Sequence, residues 1–182
     1  ASSAAGTRFD LTTGAGGSID IAGGVTVAGG AAQLNLTAGG AGNITRSAGT
    51  LTSNTVTLAS TTGSIGTVGA NVITEASTLA ANTGGAASNV FITELTGGTL
   101  NSSTAGDTFS LLVGSNFTST NASAIVAPNI IVATSGNFNI TVDSNFTAAN
   151  SLTLTAGGSG TITRTSGTLT SATVALNSTS GN

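Results

Sequence analysis

The sequence predicts an all-β solenoid, a parallel β-helix of roughly eight or nine coils. The segment LNLTAGGAGNITRSAGTLTSNTVTLASTTGS (residues 34–64) returns as LTLTAGGSGTITRTSGTLTSATVALNSTSGN (residues 152–182), with mostly small polar exchanges, so the chain contains an internal duplication. Short runs of alternating apolar and polar residues indicate half-buried strands. The strongest runs of each copy recur after about 22 residues, as Leu34 and Val56 do, which suits one coil of two or three short strands.

The predicted strands follow one another along the whole chain, each marked by two residues at alternate positions. These pairs are Ile19 and Ile21, Val25 and Val27, Leu34 and Leu36, Val56 and Leu58, Val72 and Thr74, Phe91 and Thr93, Phe109 and Leu111, Phe138 and Ile140, Leu152 and Leu154, and Val174 and Leu176. Glycine pairs such as Gly39–Gly40 separate the strands and allow tight corners. The stretch nearest to a helix, residues 76–87, contains a glycine pair and threonines, so we expect no helix.

The interior is predicted to hold columns of small aliphatic side chains, because equivalent positions of successive coils stack. Four of the six phenylalanines fall between the two copies, at Phe109, Phe117, Phe138 and Phe146. They are either stacked core residues of wider coils or an apolar outer strip that faces a ligand. These four residues are therefore the candidate ligand-facing residues of the chain.

The chain is predicted to be one solenoid segment spanning residues 1–182. Its duplicated blocks are residues 17–67 and 136–182, and a diverged, phenylalanine-richer middle covers residues 88–147. The second copy stops at Asn182, whereas the first runs on into further residues of the repeat. We therefore expect the chain to be a fragment of a longer repetitive protein.

Composition excludes several classes of function. Only 5% of residues are charged, the net charge is −3 and no basic cluster exists, so nucleic acid is not an expected partner. The chain has no His or Cys and its three cations are all Arg, so it offers no conventional catalytic triad, no zinc site and no disulfide. The most apolar stretch, residues 123–133, contains Pro128 and falls short of the roughly 20 residues of a transmembrane helix. We predict no catalytic residue, no cofactor and no metal, and hence no enzyme.

Weaker signals leave minor alternatives open. Glu75 and Glu94 are separated by about one coil and could stack as an acid pair, as in β-helix enzymes that degrade polysaccharides; Asp10 and Asp20 form a second spaced pair. Threonine doublets, such as that at residues 153 and 155, could order water as an ice-binding face, although Thr also suits any outward strand position.

The phrases LTLTAGGSGTITRTSGTLTSATVALNSTSGN and ATSGNFNITVDSNFTAANSLTLTAG resemble the repeats of giant secreted bacterial exoproteins of the filamentous haemagglutinin type, which two-partner secretion exports. The likeness is strongest over residues 17–67 and 129–182 and rests on low-complexity style. It implies a right-handed β-helix, secreted to the surface of a Gram-negative bacterium, that acts as an adhesin or matrix fibre. It transfers no functional residue.

The expected function is therefore that of a structural fibre or adhesin segment, built from stacked coils. It would continue end to end, through self-association or through the same polypeptide, by the open strand edges of its terminal coils. The alternative is a binding module that uses a lateral face, around residues 109–146, to hold a glycan or protein of a host or neighbouring cell.

Overall fold

The computed structural model describes residues 7–121 and 123–179, and within these ranges it contains eighteen β-strands and no helix. Every named strand pairs in parallel with a strand of a neighbouring coil. The strands stack into a β-solenoid of about eight turns. The all-β solenoid prediction is confirmed.

The strands are short, as expected for a chain that turns several times in each coil. In the first half they are β1 (Arg8–Ala15), β2 (Ile19–Ile21), β3 (Val25–Thr26), β4 (Gln33–Gly39), β5 (Ile44–Arg46), β6 (Leu51–Ser60), β7 (Val72–Thr83), β8 (Val90–Glu94) and β9 (Gly98–Leu100). In the second half they are β10 (Ser103–Thr104), β11 (Thr108–Val113), β12 (Phe117–Ser119), β13 (Ala124–Thr134), β14 (Ile140–Val142), β15 (Asn145–Ala156), β16 (Ile162–Arg164), β17 (Leu169–Thr170) and β18 (Thr173–Ser178).

Three columns of strands form the faces of the second half. One column is β8, β11, β13, β15 and β18, and another is β9, β12, β14 and β16. The third contains β10, the first part of β13, the first part of β15, and β17. Strands β13 and β15 each belong to two columns because each turns a corner. The register between them shifts at Pro128, and a bulge there accommodates proline, which has no backbone N–H to donate.

The coil length agrees with the spacing in the sequence. Leu34 pairs in register with Val56, and Leu152 pairs with Val174, so in both copies the aligned apolar residues lie directly above one another. Corners are held between coils by side-chain amides: Asn116 Oδ1 accepts the N–H of Asn139 at 2.9 Å, and Asn139 Oδ1 accepts the N–H of Thr161 at 2.8 Å. Asparagine side chains thus link three successive coils at this corner.

The core is a continuous column of inward side chains. Phe109 is fully buried between Val90 of the preceding coil and Ile130 of the next. Phe117 is buried and pairs in register with Gly98 of the preceding coil. Phe109 and Phe117 are therefore stacked core residues, which was one of the two alternatives offered by the sequence.

Candidate functional site

Three of the four candidate ligand-facing phenylalanines do not face solvent. Phe109, Phe117 and Phe146 occupy inward positions of their strands and are buried, so the prediction that they face a ligand is wrong. The reason is the alternation of a β-strand, which places each of these rings on the side that its strand turns towards the core. Phe138 is half-buried in the turn before β14 and lies beside Gly136.

Other apolar residues point outwards, and one group of them lies on the face formed by β7, β8, β11 and β13. Leu112 and Ile131 point outwards there, and half-buried Phe91 and Ile73 lie on the same outer side. The sequence feature that could have identified these outward residues is a pair of adjacent apolar residues, such as Leu111–Leu112. Because side chains alternate along a strand, one residue of such a pair faces outwards.

The two glutamates do not form an acid pair. The register opposes Glu94 to Thr74, so Glu75 is offset by one position and points to the other side of the sheet. Glu75 is half-buried on the outer side and accepts a hydrogen bond from Thr52 Oγ1 at 3.2 Å. Glu94 points into the interior and is only 4% exposed. The paired-acid interpretation fails for these two residues.

The Glu94 carboxylate is instead a hydrogen-bond acceptor at a corner of the stack. Thr74 Oγ1 donates to Oε2 at 2.6 Å, and the N–H of Ala76 lies 3.1 Å from each carboxylate oxygen. The N–H and the hydroxyl of Thr96 donate to Oε1 at 3.0 and 2.7 Å. Two backbone N–H groups and two hydroxyls thus converge on one buried carboxylate, which joins the corners of two successive coils.

Replacing Glu94 with alanine is expected to lower the free energy of unfolding by about 3 kcal/mol, because several buried donors lose their acceptor. Glu75→Ala removes the same charge from the outer side and is expected to cost about 1 kcal/mol or less. Urea unfolding followed by circular dichroism measures both. Equal losses from the two variants would contradict a structural role of the buried carboxylate.

The aspartates bind groups of their own and neighbouring coils. Asp10 accepts from Arg8 Nε at 2.6 Å and from Asn35 Nδ2 at 2.7 Å, and these hydrogen bonds lower the pKa of its carboxyl. Asp20 accepts from Ser47 Oγ at 2.7 Å and lies on a different strand from Asp10. Within residues 7–121 and 123–179, no three His, Cys, Asp or Glu side chains gather as a metal site.

Six threonines form a stacked rank that is one residue wide, which differs from the paired rank of the ice-binding alternative. The register places six in successive coils: Thr55, Thr78, Thr99, Thr118, Thr141 and Thr163. In the later coils this face consists of three-residue strands, which present a single outward side chain. The doublet Thr153 and Thr155 lies next to Ile131 and Ala133 of the preceding coil, so that doublet is not repeated there.

The last described coil exposes residues that are buried in the first copy. Val56 and Leu58 are 0% exposed because Leu79 and Ala81 of the next coil lie over them. Their counterparts in the second copy, Val174 and Leu176, are 43% and 53% exposed. We call the surface formed by Val174 and Leu176, with half-buried Ile162 and Leu169, the end surface.

The arginines that recur in the two copies hold equivalent corners. Arg46 Nε donates to the carbonyl of Gly49 at 2.6 Å, and Arg164 Nη1 donates to the carbonyl of Gly167 at 2.5 Å. Both glycines have positive φ, 80° and 69°, so each guanidinium satisfies the carbonyl of a left-handed corner residue.

Comparison with known proteins finds no matching family model, no similar curated protein and no similar solved structure. None of the described residues belongs to a helix long and apolar enough to cross a membrane.

Proposed function

We propose that the chain is a structural segment of a fibre or adhesin on a bacterial surface, in which stacked coils form a rigid rod that continues end to end. The supporting observation is the end surface. In the first copy a further coil covers Val56 and Leu58 completely. Their counterparts in the second copy, Val174 and Leu176, are about half exposed. Buried Val and Leu side chains each contribute about 1.5–3 kcal/mol relative to exposed ones, so covering this surface is favourable.

The occupant that fits the end surface is another parallel coil of the same kind. Strand β18 pairs along one edge with β15, and no described strand pairs with its other edge. An unpaired strand edge offers a row of backbone donors and acceptors to a further strand. Head-to-tail addition repeats the parallel pairing that already runs through the stack, and repeated heterologous contacts of this kind build open filaments.

Secretion to the surface of a Gram-negative bacterium is part of the same proposal. The resemblance to filamentous haemagglutinin-type repeats supports it, as does the scarcity of charged residues and of catalytic side chain types. A rod of about eight turns at about 4.8 Å per turn is roughly 40 Å long, so such a segment serves as a spacer.

Lysine at the end surface is expected to abolish end-to-end association. Leu176→Lys places a charge where the next coil would pack, whereas Asn177→Lys places it on the outer side of the same strand. Sedimentation velocity and electron microscopy at rising concentrations should show longer rods for the parent chain and for Asn177→Lys, and single rods for Leu176→Lys.

A second measurement covers the case in which the coil belongs to the same polypeptide. Appending the sequence of residues 65–87, the coil that covers the first copy, after Asn182 should raise the melting temperature by about 5 °C. A chain that neither associates nor gains stability from the added coil would refute the proposal.

A further inference from the structure

Between Ile65 and Val72 the chain forms a loop outside the stacked coils, on the lateral face that contains β7 and β8. Ile65 pairs with Val90 and Val72 pairs with Ile92, so residues that are close neighbours in the next coil are separated here by an inserted loop. The loop closes on itself, because Thr67 and Ala70 exchange two backbone hydrogen bonds of 3.1 and 3.0 Å. Insertions in solenoids commonly form loops on the binding face.

A cleft of about 390 Å³ lies between this loop and the lateral face. Its lining residues are Arg46, Gly69, Ala70, Asn71, Ile73 and Thr93. The volume falls in the range of small-ligand sites. Asn71 Nδ2 donates to Thr93 Oγ1 at 3.0 Å, which fixes the amide and leaves its oxygen available as an acceptor. The cleft is thus a mainly polar site beside one aliphatic side chain, that of Ile73.

Arg46 is an unpaired cation in this cleft. Its side chain is half-buried, and its one hydrogen bond uses Nε, which leaves both Nη groups without a partner among the described residues. Within the described ranges, the only ion pair joins Arg8 and Asp10, so the Arg46 guanidinium makes no direct ion pair with a carboxylate. The free end of a guanidinium, with two parallel N–H donors, matches the two oxygens of a carboxylate.

The second copy provides an internal comparison. Arg164 follows the same Ile-Thr residues and makes the same type of bond to a corner glycine, but its side chain is exposed and does not line the cleft. The cleft is formed by Arg46 together with residues of the inserted loop.

We propose that this cleft binds a carboxylate-bearing sugar residue of an acidic glycan. The carboxylate would contact the Nη groups of Arg46, ring hydroxyls would contact Asn71 and Thr93, and the apolar side of the ring would pack on Ile73. An extended peptide fits less well, since it binds by adding to an open sheet edge, and β7 and β8 are paired on both sides here. This lateral site goes beyond the end-to-end fibre function and does not depend on it.

The test uses a tetrasaccharide of galacturonic acid and the intact chain, with binding followed by NMR titration. The parent chain should bind it, and Arg46→Gln should weaken binding by about tenfold or more, because a charge-assisted contact is lost. Arg164→Gln is the matched control, with the same loss of charge, and should bind like the parent chain. Arg46→Lys should bind at an intermediate level because it keeps the charge but not the fork.

Three results would overturn the assignment. The first is equal weakening by Arg46→Gln and Arg164→Gln, which would indicate unspecific attraction to charge. The second is equal binding of the carboxyl-reduced, neutral tetrasaccharide. The third is failure to bind the uronic acid probe, including the case in which a sulfated oligosaccharide or an acidic peptide binds instead. Leu176→Lys should leave binding unchanged, so failure of this site and failure of the fibre proposal remain distinguishable.

Discussion

Replacing Phe109 with alanine is expected to lower the free energy of unfolding by about 3–5 kcal/mol. The ring is fully buried at the middle of the stack, with Val90 on one side and Ile130 on the other. Its removal leaves a cavity that the parallel ladders above and below cannot close, since they fix the spacing of the coils. Denaturant unfolding monitored by circular dichroism measures the loss.

Phe138→Ala is the matched control for this prediction. The Phe138 side chain is half-buried in a turn, so the same truncation should cost about 1 kcal/mol or less. If Phe109 instead belonged to an outer ligand-binding strip, its truncation would leave stability nearly unchanged. A loss for Phe109→Ala no greater than that for Phe138→Ala would therefore contradict the core assignment.

The repeat made the fold predictable. In a solenoid every coil packs against its neighbours in the same way. The spacing of about 22 residues between Leu34 and Val56 therefore gives both the length of a coil and the register between coils. Alternation then decides which side chains point inwards. The columns of aliphatic residues follow from these two rules.

Departures from the repeat were not predictable from the same rules. The sequence pattern marked Phe91 and Thr93 as a strand pair, but the structure buries Val90 and Ile92 and turns Phe91 outwards. A shift of one residue reverses every side chain of a strand, and an apolar residue on each side of Phe91 makes that choice ambiguous. Glu94 follows the same alternation inwards, against the expectation for a carboxylate, because a corner supplies its donors.

The candidate site was the least predictable part. The sequence drew attention to phenylalanines, whereas the lateral cleft depends on Arg46 and on a loop that begins after Ile65. Arg46 recurs as Arg164 in the second copy, so the sequence alone does not distinguish the two arginines. Only the register reveals that an inserted loop adjoins the first arginine.

Replacing Gly106 with alanine is expected to destabilise the solenoid by about 3 kcal/mol or more. An added methyl group at Gly106 would run into the backbone carbonyl oxygen of Gly85 in the preceding coil. The same obstruction exists at Gly42 against Gly17 and at Gly63 against Gly42, so close approach of successive coils depends on glycine at these corners. Because the obstacle is backbone, relief requires the coils to separate and their ladder bonds to stretch.

Gly30→Ala distinguishes this steric effect from a general need for glycine flexibility. No atom lies within 4 Å of a methyl group at Gly30, and its φ is not positive. Alanine there should be neutral or should stabilise the chain by up to about 1 kcal/mol, since it restricts the unfolded state. Thermal and urea unfolding of the two variants compare the positions directly. If Gly106→Ala unfolds like the parent chain, the coils are not packed as closely at this corner as the structure places them, and the corner glycines are not what sets the spacing of the stack.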